Sequence, residues 1–375
     1  MAASASFGTR LAARLIRRSQ TTATHQAIAF DAIACLSSPN ANAWQRMFLK
    51  QAQLFALGAA APDAEFRDYK NHVVFPRDGY WGGAIPKAQS WYLNLTTALA
   101  KREWQNAAYC AGVLNHYVID ALHPLHTAQS EAENDIHYAL DVTVWTTYAT
   151  LARQGTTLKS SPVALSAEPG FLALALCAGA ERANQNYEKL LAHFDMARAV
   201  TDPAMGLDII GRQVMAGVIA DATQMLAAIF DRAIADAGTE ASQVPLVGAS
   251  LTAALGLPLA AMANARRTRT SLRQIVLMFD ELVATGRVTK HLPDEERAKR
   301  DLYAKEILGA RVKSNVDNVF PFVPNSKVST PATVPAAEGD EDTGGEVIVL
   351  TRNRVKMEPV RPAPRRVEEI GRAHV

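Results

Sequence analysis

The sequence predicts an all-α protein, on the strength of three observations. Apolar residues recur at helical spacing almost throughout residues 25–238. Two His-x-x-x-Asp pairs, His116 with Asp120 and His137 with Asp141, have the spacing of one helical turn. The 375 residues are 49% hydrophobic and 20% charged, which is the composition of a soluble globular protein with a large core. We therefore expect a multi-helix bundle, with an accessory helical hairpin and a disordered C-terminal tail.

Residues 1–24 are predicted to be a basic leader. They contain four arginines and no acidic residue, and no uninterrupted apolar stretch follows, so the pattern of a secretory signal is missing. We expect this leader to be poorly ordered, either as a transit-like segment or as extra sequence ahead of the true start. Its arginines are Arg10, Arg14, Arg17 and Arg18.

Residues 25–238 are expected to form the main helical domain. Helical periodicity predicts helices over residues 25–36, 44–57 and 91–104. Residues 206–237 carry an apolar stripe that includes Met225 and Phe230, which we expect in the core. The three cysteines, Cys35, Cys110 and Cys177, lie in apolar helical contexts and are predicted to be buried free thiols.

The remaining third of the chain divides into three parts. Residues 244–265 carry no charge and are about the ~20 residues that span a bilayer, but two prolines and two glycines interrupt them. We treat them as a candidate membrane helix. Residues 266–313 predict an accessory hairpin, with helices at 272–283 and 295–308 and no catalytic constellation. Residues 314–375 are predicted to be disordered, and 369–375 resemble a translated sequencing adapter.

A metal site is predicted between residues 116 and 141. Residues four apart on a helix have Cβ atoms roughly 5–6 Å apart, so each His-x-x-x-Asp pair can reach one ion. Pro124 interrupts the helix between the pairs and should return His126 towards the same centre. Imidazole and carboxylate ligands without cysteine suit zinc, although manganese, iron and nickel accept the same set.

Further candidate ligands lie upstream, and with them the sequence resembles the zinc-dependent phospholipase C family. The resemblance rests on Thr24-His25-Gln26, Ala61-Pro62-Asp63 and the run from Asp68 to Phe75, together with the motifs at 116–141. It covers about residues 25–238 and implies a helical phospholipase C/nuclease-like bundle. The family pattern implies one zinc ion held by Asp63, His72, His116 and Asp120, and a second held by His126, His137 and Asp141. His25 has the place of a ligand to a third zinc ion.

The sequence departs from the phospholipase pattern at three points. Family members complete the third zinc with an N-terminal tryptophan, whereas 24 residues precede His25 here. Asp141 replaces the usual glutamate and is more like the related single-strand nucleases. Ala64 replaces an aromatic residue of the choline pocket, although Tyr69 keeps an aromatic that can meet a cationic headgroup. Trp81, which has a glycine on its C-terminal side and Gly79 two residues before it, is expected to border the substrate cleft.

The implied activity is hydrolysis of a phosphodiester, most directly in a glycerophospholipid, which releases diacylglycerol and a phosphorylated headgroup. Zinc would generate hydroxide near neutral pH, with Asp63 and Asp120 as the catalytic carboxylates and Asp63 as a general base. Two alternatives stay open: a zinc-dependent single-strand nuclease or nucleotidase, and a non-catalytic, metal-stapled membrane-associated protein. The formal net charge of +2 gives no argument for a nucleic-acid partner, and no obligate protein partner is evident. The family resemblance implies an extracytoplasmic or membrane-associated location.

Overall fold

The computed structural model describes residues 7–158, 163–241 and 244–309. Within these ranges the chain forms thirteen α-helices, joined by short helical turns, and a single small sheet, which confirms the all-α prediction. The helices are α1 (Phe7–Gln20), α2 (Thr24–Ala34), α3 (Ala41–Lys50), α4 (Ala52–Ala61), α5 (Ala84–Ala100), α6 (Trp104–Ala121), α7 (Glu131–Leu158), α8 (Phe171–Asn184), α9 (Tyr187–Ala192), α10 (Met196–Thr201), α11 (Ile209–Ala237), α12 (Val247–Thr285) and α13 (Asp294–Tyr303). The predicted tail at 314–375, including 369–375, lies outside the described residues.

Helix α6 lies at the centre of the fold. From Ala107 to Ala121 it is buried at every position except Tyr109, and it packs against α4 and α5. Its contact with α4 is close because glycines face each other: a Cβ atom at Gly58 would lie 2.2 Å from the carbonyl oxygen of Tyr109. A Cβ atom at Gly112 would likewise lie 2.2 Å from the carbonyl oxygen of Phe55. The two helix backbones are therefore in direct contact next to His116.

The segments around α6 end and begin where the sequence supplies the signals. Helix α6 ends at Ala121, because Pro124 cannot continue it, and a 3₁₀ turn follows at Pro124–His126 as predicted. Helix α7 begins after Ser130, whose hydroxyl accepts a hydrogen bond from the Glu133 N–H at 3.1 Å. The strands β1 (Val74–Phe75) and β2 (Trp81–Gly82) pair antiparallel, with Val74 opposite Gly82 and Phe75 opposite Trp81.

The first helix corrects one prediction. The leader was expected to be poorly ordered, but residues 7–20 form α1, which packs along α12. Ile16 of α1 is 2% exposed, and Arg17 pairs with Asp31 of α2. Burial of Ile16 and this ion pair explain the order. A second correction concerns the cysteines, which are all free, as predicted, but not all buried. Cys110 is buried and Cys177 is half-buried, whereas Cys35 is exposed because it lies at the end of α2.

The region after residue 244 is also organised differently from the prediction. The apolar segment and the first hairpin helix form one continuous helix, α12, whose two arms meet at 50° around Pro258. Within the described residues, α11 is the one straight helix long and apolar enough to cross a bilayer, and 56% of its most apolar window is buried in protein. Helix α12 qualifies only if its two arms count as one span.

Candidate metal centre

Four predicted ligands converge at one point, and we call them the first set: Asp63, His72, His116 and Asp120. Helix α6 presents His116 and Asp120, whereas the other two come from the helical turns Pro62–Phe66 and Tyr69–His72. His116 Nε2 lies 3.2 Å from His72 Nδ1, 3.2 Å from Asp63 Oδ1 and 3.3 Å from Asp120 Oδ2. His72 Nδ1 lies 3.6 Å from Asp63 Oδ1 and 3.1 Å from Asp120 Oδ2.

These five distances match a tetrahedral zinc site. Ligand atoms at roughly 2.0–2.1 Å from a tetrahedral ion are about 3.3–3.4 Å from each other, and the observed separations bracket that value. Asp120 Oδ2, which faces the other ligands, is buried without a hydrogen-bond partner. An unsatisfied buried carboxylate oxygen is costly unless a cation completes the site. The residues present therefore fit a zinc ion.

Backbone contacts fix the orientation of the first-set imidazole on α6. The Nδ1 atom of His116 lies 2.8 Å from the carbonyl oxygen of Ala59, so Nδ1 can donate this hydrogen bond and Nε2 is left facing the other ligands. The Nε2 atom of His72 faces Asp68 Oδ1 at 3.5 Å, which directs Nδ1 inwards. Each ring thus presents one nitrogen to the same point.

In the first set, the raised pKa values of His72 and His116 favour protonated imidazoles, so protons compete with a metal for these rings. Burial alone would lower the pKa of His72, but the neighbouring carboxylates of Asp120 and Asp68 raise it to about 9. Burial likewise opposes the charged form of Asp120, yet the charge of His116 holds the pKa of Asp120 well below its usual range. Carboxylates and charged imidazoles therefore compensate each other without a metal, and an ion has to displace protons to bind.

His25 extends this set on the other side of Asp120. Its Nε2 lies 2.9 Å from Asp120 Oδ1, and its ring stacks on His116 with centroids 4.1 Å apart. Asp120 thus presents Oδ2 to the first set and Oδ1 to His25. This arrangement is compatible with a carboxylate that bridges two ions, as the family pattern implies.

The second predicted set, His126, His137 and Asp141, is assembled less completely. The rings of His126 and His137 lie 5.1 Å apart. The Nδ1 atom of His126 lies 2.7 Å from the carbonyl oxygen of His72. The Nδ1 atom of His137 lies 3.0 Å from Glu133 Oε1. Asp141 Oδ2 lies 3.9 Å from His137 Nε2, and its side chain is 55% exposed. Although half of its side chain is exposed, partial desolvation of the carboxylate and the negative charges of Glu296 and Glu295 raise the pKa of Asp141 to about 6.

His123 lies beside the two histidines of the second set, His126 and His137. The structure places it half-buried, with its ring stacked on His137 at 6.0 Å and 5.3 Å from that of His126. The three histidines form one group whose ligand atoms lie within 4.8 Å of each other, and among the described residues Asp141 joins no such group. Burial lowers the pKa of His123 to about 3, so this ring is neutral.

Three residues at the centre were missed by the sequence analysis: Glu295, Glu296 and Lys299, all on α13. The hairpin was predicted to carry no catalytic constellation, yet the structure places three of its side chains beside the predicted ligands. Glu296 Oε2 lies 3.1 Å from His137 Nδ1, and Glu295 Oε1 lies 3.9 Å from His72 Nδ1. The spacing of these three charged residues is that of an ordinary solvated helix face, so no local pattern in the sequence identified them.

The two predicted substrate contacts lie at the edge of the centre. The ring of Tyr69 lies 6.1 Å from that of His72, beside the first set. Trp81 is covered instead: its Nε1 donates a 2.9 Å hydrogen bond to Glu306, and the ring of Tyr303 lies 5.6 Å away. Trp81 therefore holds the segment that follows α13.

Comparison with family models gives no match, and comparison with curated proteins gives none either. Among solved structures, the chain is similar to the alpha toxin from Clostridium absonum, with a TM-score of 0.42 and 18% identity over 60% of this chain and 67% of the toxin. It is also similar to the alpha-toxin of Clostridium perfringens from avian strain SWCP, with a TM-score of 0.44 and 17% identity over 59% of this chain and 66% of the toxin. The chain thus spans about two thirds of the length of either toxin.

Proposed function

We propose that this protein is a zinc-dependent phosphodiester hydrolase that acts on glycerophospholipids and releases diacylglycerol and a phosphorylated headgroup. The observation that carries the proposal is the first set, in which ligand atoms of Asp63, His72, His116 and Asp120 lie 3.1–3.6 Å apart in the five pairs described above. Such a set, with a second histidine group beside it, has the ligand chemistry of clustered zinc. The motif resemblance to zinc-dependent phospholipase C supports the same reaction.

The exposure of the first-set side chains indicates which of them only bind the metal and which also contacts water and substrate. When bound, zinc would lower the pKa of a water molecule towards ~7 and neutralise charge on phosphoryl oxygens. His72, His116 and Asp120 are about 1% exposed or less and hold their positions through buried contacts. Asp63 is 50% exposed, so its carboxylate borders the solvent from which substrate and water arrive. We assign Asp63 as the ligand that also accepts a proton from water, and Asp120 as the carboxylate shared between ions.

A lipid substrate is favoured by the surface of α12. Val247, Leu251 and Leu255 recur every four residues and are 76%, 62% and 74% exposed. Exposed arginines follow at 266, 267 and 269, so an apolar stripe adjoins positive charge that suits anionic headgroups. This pattern is typical of a helix that lies on a membrane surface, where the substrate would be found.

One parallel assay distinguishes lipid hydrolysis from the two alternatives, nuclease activity and a purely structural role of the metal. We would incubate the zinc-loaded protein with phosphatidylcholine vesicles and, in parallel, with single-stranded DNA. We expect diacylglycerol from the vesicles and intact DNA. Cleaved DNA without lipid hydrolysis would establish the nuclease, and bound zinc without turnover on either substrate would establish a structural role.

A matched pair of variants connects turnover to the first set. Asp63→Asn removes a ligand charge, and Glu65→Gln removes an exposed charge from the same helical turn. Lipid hydrolysis should be lost in Asp63→Asn and retained in Glu65→Gln. Activity of Asp63→Asn equal to that of the unmodified protein would defeat the assignment of Asp63.

A further inference from the structure

Helix α13 packs against both sets of ligands, although it lies 150 residues or more after most of them. Glu295 faces the first set, with Oε1 3.9 Å from His72 Nδ1. Glu296 faces the second set, with Oε2 3.1 Å from His137 Nδ1. Between them Lys299 is 1% exposed, and its Nζ atom lies 2.8 Å from Glu296 Oε1 and 3.5 Å from Glu295 Oε1. A helix that is distant in sequence thus brings three ionisable groups into the centre.

The ring of His137 contacts two carboxylates, Glu133 through a hydrogen bond and Glu296 through an ion pair. Glu133 Oε1 lies 3.0 Å from His137 Nδ1, on the same ring nitrogen that Glu296 approaches. Glu133 is itself fixed, because its other oxygen accepts a 3.1 Å hydrogen bond from Tyr187 Oη. With Nδ1 turned towards these carboxylates, Nε2 faces the space that it shares with His126 and His123. A carboxylate behind a ligand histidine is the usual means of fixing the ring and raising its basicity.

Glu296 is buried in a manner that requires a function or a counter-charge. It is 5% exposed, and its Oε2 atom has no hydrogen-bond partner. Glu133 and Glu296 repel each other because both are buried carboxylates, and a buried charge is destabilising unless it is paired. Lys299 supplies the pairing charge from one turn further along the same helix. The pair is therefore built to place a carboxylate at His137.

We propose that Glu296 and Lys299 are positioning residues of the metal centre: Glu296 acts with Glu133 to fix His137 with Nε2 towards the ion, and Lys299 balances the two carboxylates. The proposal rests on the proposed function only in that the second set binds zinc. Because coupling between two events is reciprocal, docking of α13 strengthens zinc binding at the second set, and zinc strengthens the docking of α13.

Contacts outside the centre hold α13 independently of Glu296. Tyr303 Oη donates a 3.0 Å hydrogen bond to Asp78. Glu306 pairs with Lys70 and accepts the hydrogen bond from Trp81. Glu296→Gln is therefore expected to leave α13 folded and in place, so that the substitution tests the contact with His137.

The test compares Glu296→Gln with Asp294→Asn in the full chain. Both remove one negative charge from the first turn of α13, but Asp294 is exposed. Zinc affinity is measured for each bound ion by competition with a chromogenic chelator. We expect Glu296→Gln to weaken the binding of one zinc ion roughly 10–100-fold, and Glu133→Gln to have the same effect. Asp294→Asn should change the affinity for neither zinc ion by more than about twofold. Unchanged zinc affinity in Glu296→Gln would overturn the proposal.

Hydrogen exchange supplies a readout that a merely structural role would not move. Zinc should slow hydrogen exchange of the α13 amides in the unmodified protein and in Asp294→Asn. The decrease in exchange rate on adding zinc should be much smaller in Glu296→Gln. Faster exchange in Glu296→Gln by the same factor with and without zinc would show that Glu296 only anchors the helix, and would refute the proposal. A protein that binds zinc in this pattern but hydrolyses no phosphodiester would refute the proposed function and leave the positioning role established.

Discussion

The two sets of metal ligands differ in where their supporting contacts come from. The first set is built mainly around α6, which is in backbone contact with α4 and whose His116 is oriented by Ala59, whereas α13 approaches this set only through Glu295, 3.9 Å from His72. The second set lies on a turn and on α7, and its ring His137 contacts Glu296 of the distant α13. A site can therefore be rigid where close-packed helices hold it and adjustable where a peripheral helix completes it.

The largest effect is expected from Asp120→Asn. Asp120 faces His72 and His116 through one oxygen and His25 through the other, so its loss affects every ion near the first set. Zinc binding there should weaken by more than about 100-fold, beyond the ~10–100-fold typical of residues that only orient a ligand. Lipid hydrolysis should be lost with it. Equilibrium dialysis with metal analysis measures the first effect.

The control for this substitution is Asp280→Asn, which removes an exposed carboxylate from α12. Circular dichroism should show that both variants keep their helices. Wild-type zinc content in Asp120→Asn would mean that the buried carboxylate is structural and that the first set is not a metal site.

The next effect tests the rigidity of the first set. A Cβ atom at Gly112 would lie 2.2 Å from the Phe55 carbonyl oxygen and 2.8 Å from the Ala59 nitrogen, so Gly112→Ala forces α4 and α6 apart. We expect a loss of about 1–3 kcal/mol in the free energy of unfolding, as for other overpacked sites. Zinc affinity should fall at the first set and stay unchanged at the second, because the contact with Ala59 is disturbed and α7 is not.

Gly217→Ala is the matched control, since a Cβ atom there meets nothing within 4 Å. In a helix interior this exchange should stabilise the protein by roughly 0.5–1 kcal/mol. Urea unfolding of both variants gives the comparison. Equal losses of zinc affinity at both sets in Gly112→Ala would show that the two sets do not differ in their support.

The sequence predicts the ligands that share a helix, but not the contacts that come from residues remote in sequence. The pairs at 116 and 120 and at 137 and 141 follow from helical periodicity, and the turn at Pro124 follows from the missing N–H of proline. Asp63, His72 and His25 came from the family resemblance, because no local spacing joins them to α6. Glu296 and Lys299 could not be inferred, since their three-residue spacing is that of any solvated ion pair and their partner lies on α7. The order of α1 was likewise decided by contacts with α12 and α2, which are remote in sequence.

A smaller effect is expected from pH. The neighbouring carboxylate of Asp120 raises the pKa of His72 to about 9 against its burial, and the charge of Asp63 raises that of His116 against its burial. At pH 7 both imidazoles therefore hold protons that zinc must displace. Burial keeps the pKa of His126 well below its usual value, so in the second set only His137 holds such a proton. Zinc affinity should thus rise with pH between about 6 and 9 at both sets, and more steeply at the first.

Calorimetric titration in buffers of different ionisation enthalpy measures the protons released for each ion. More protons should be released from the first set than from the second. The opposite order would mean that the charges assigned to the two sets are reversed.

The smallest effect concerns the turn that leads into α13. The carboxylate of Glu281 accepts hydrogen bonds from the N–H groups of Thr289, Lys290 and His291 at 2.7–2.9 Å. These backbone hydrogen bonds outweigh desolvation and lower the pKa of Glu281 to about 2, so the carboxylate stays ionised and the turn stays capped through the whole neutral and mildly acidic range.

Glu281→Gln should weaken this cap without touching either set. Because α13 reaches His137 through Glu296, a looser turn should reduce zinc affinity at the second set by about two- to fivefold, well below the ~10–100-fold expected for Glu296 itself. The first set should change less, because α13 approaches it only through Glu295, 3.9 Å from His72. Asp280→Asn, one residue earlier on the exposed face of α12, should change neither set. Chelator competition on these two variants determines whether the second set depends on the position of α13 or only on the charge of Glu296, since a strictly local effect would leave Glu281→Gln at wild-type affinity.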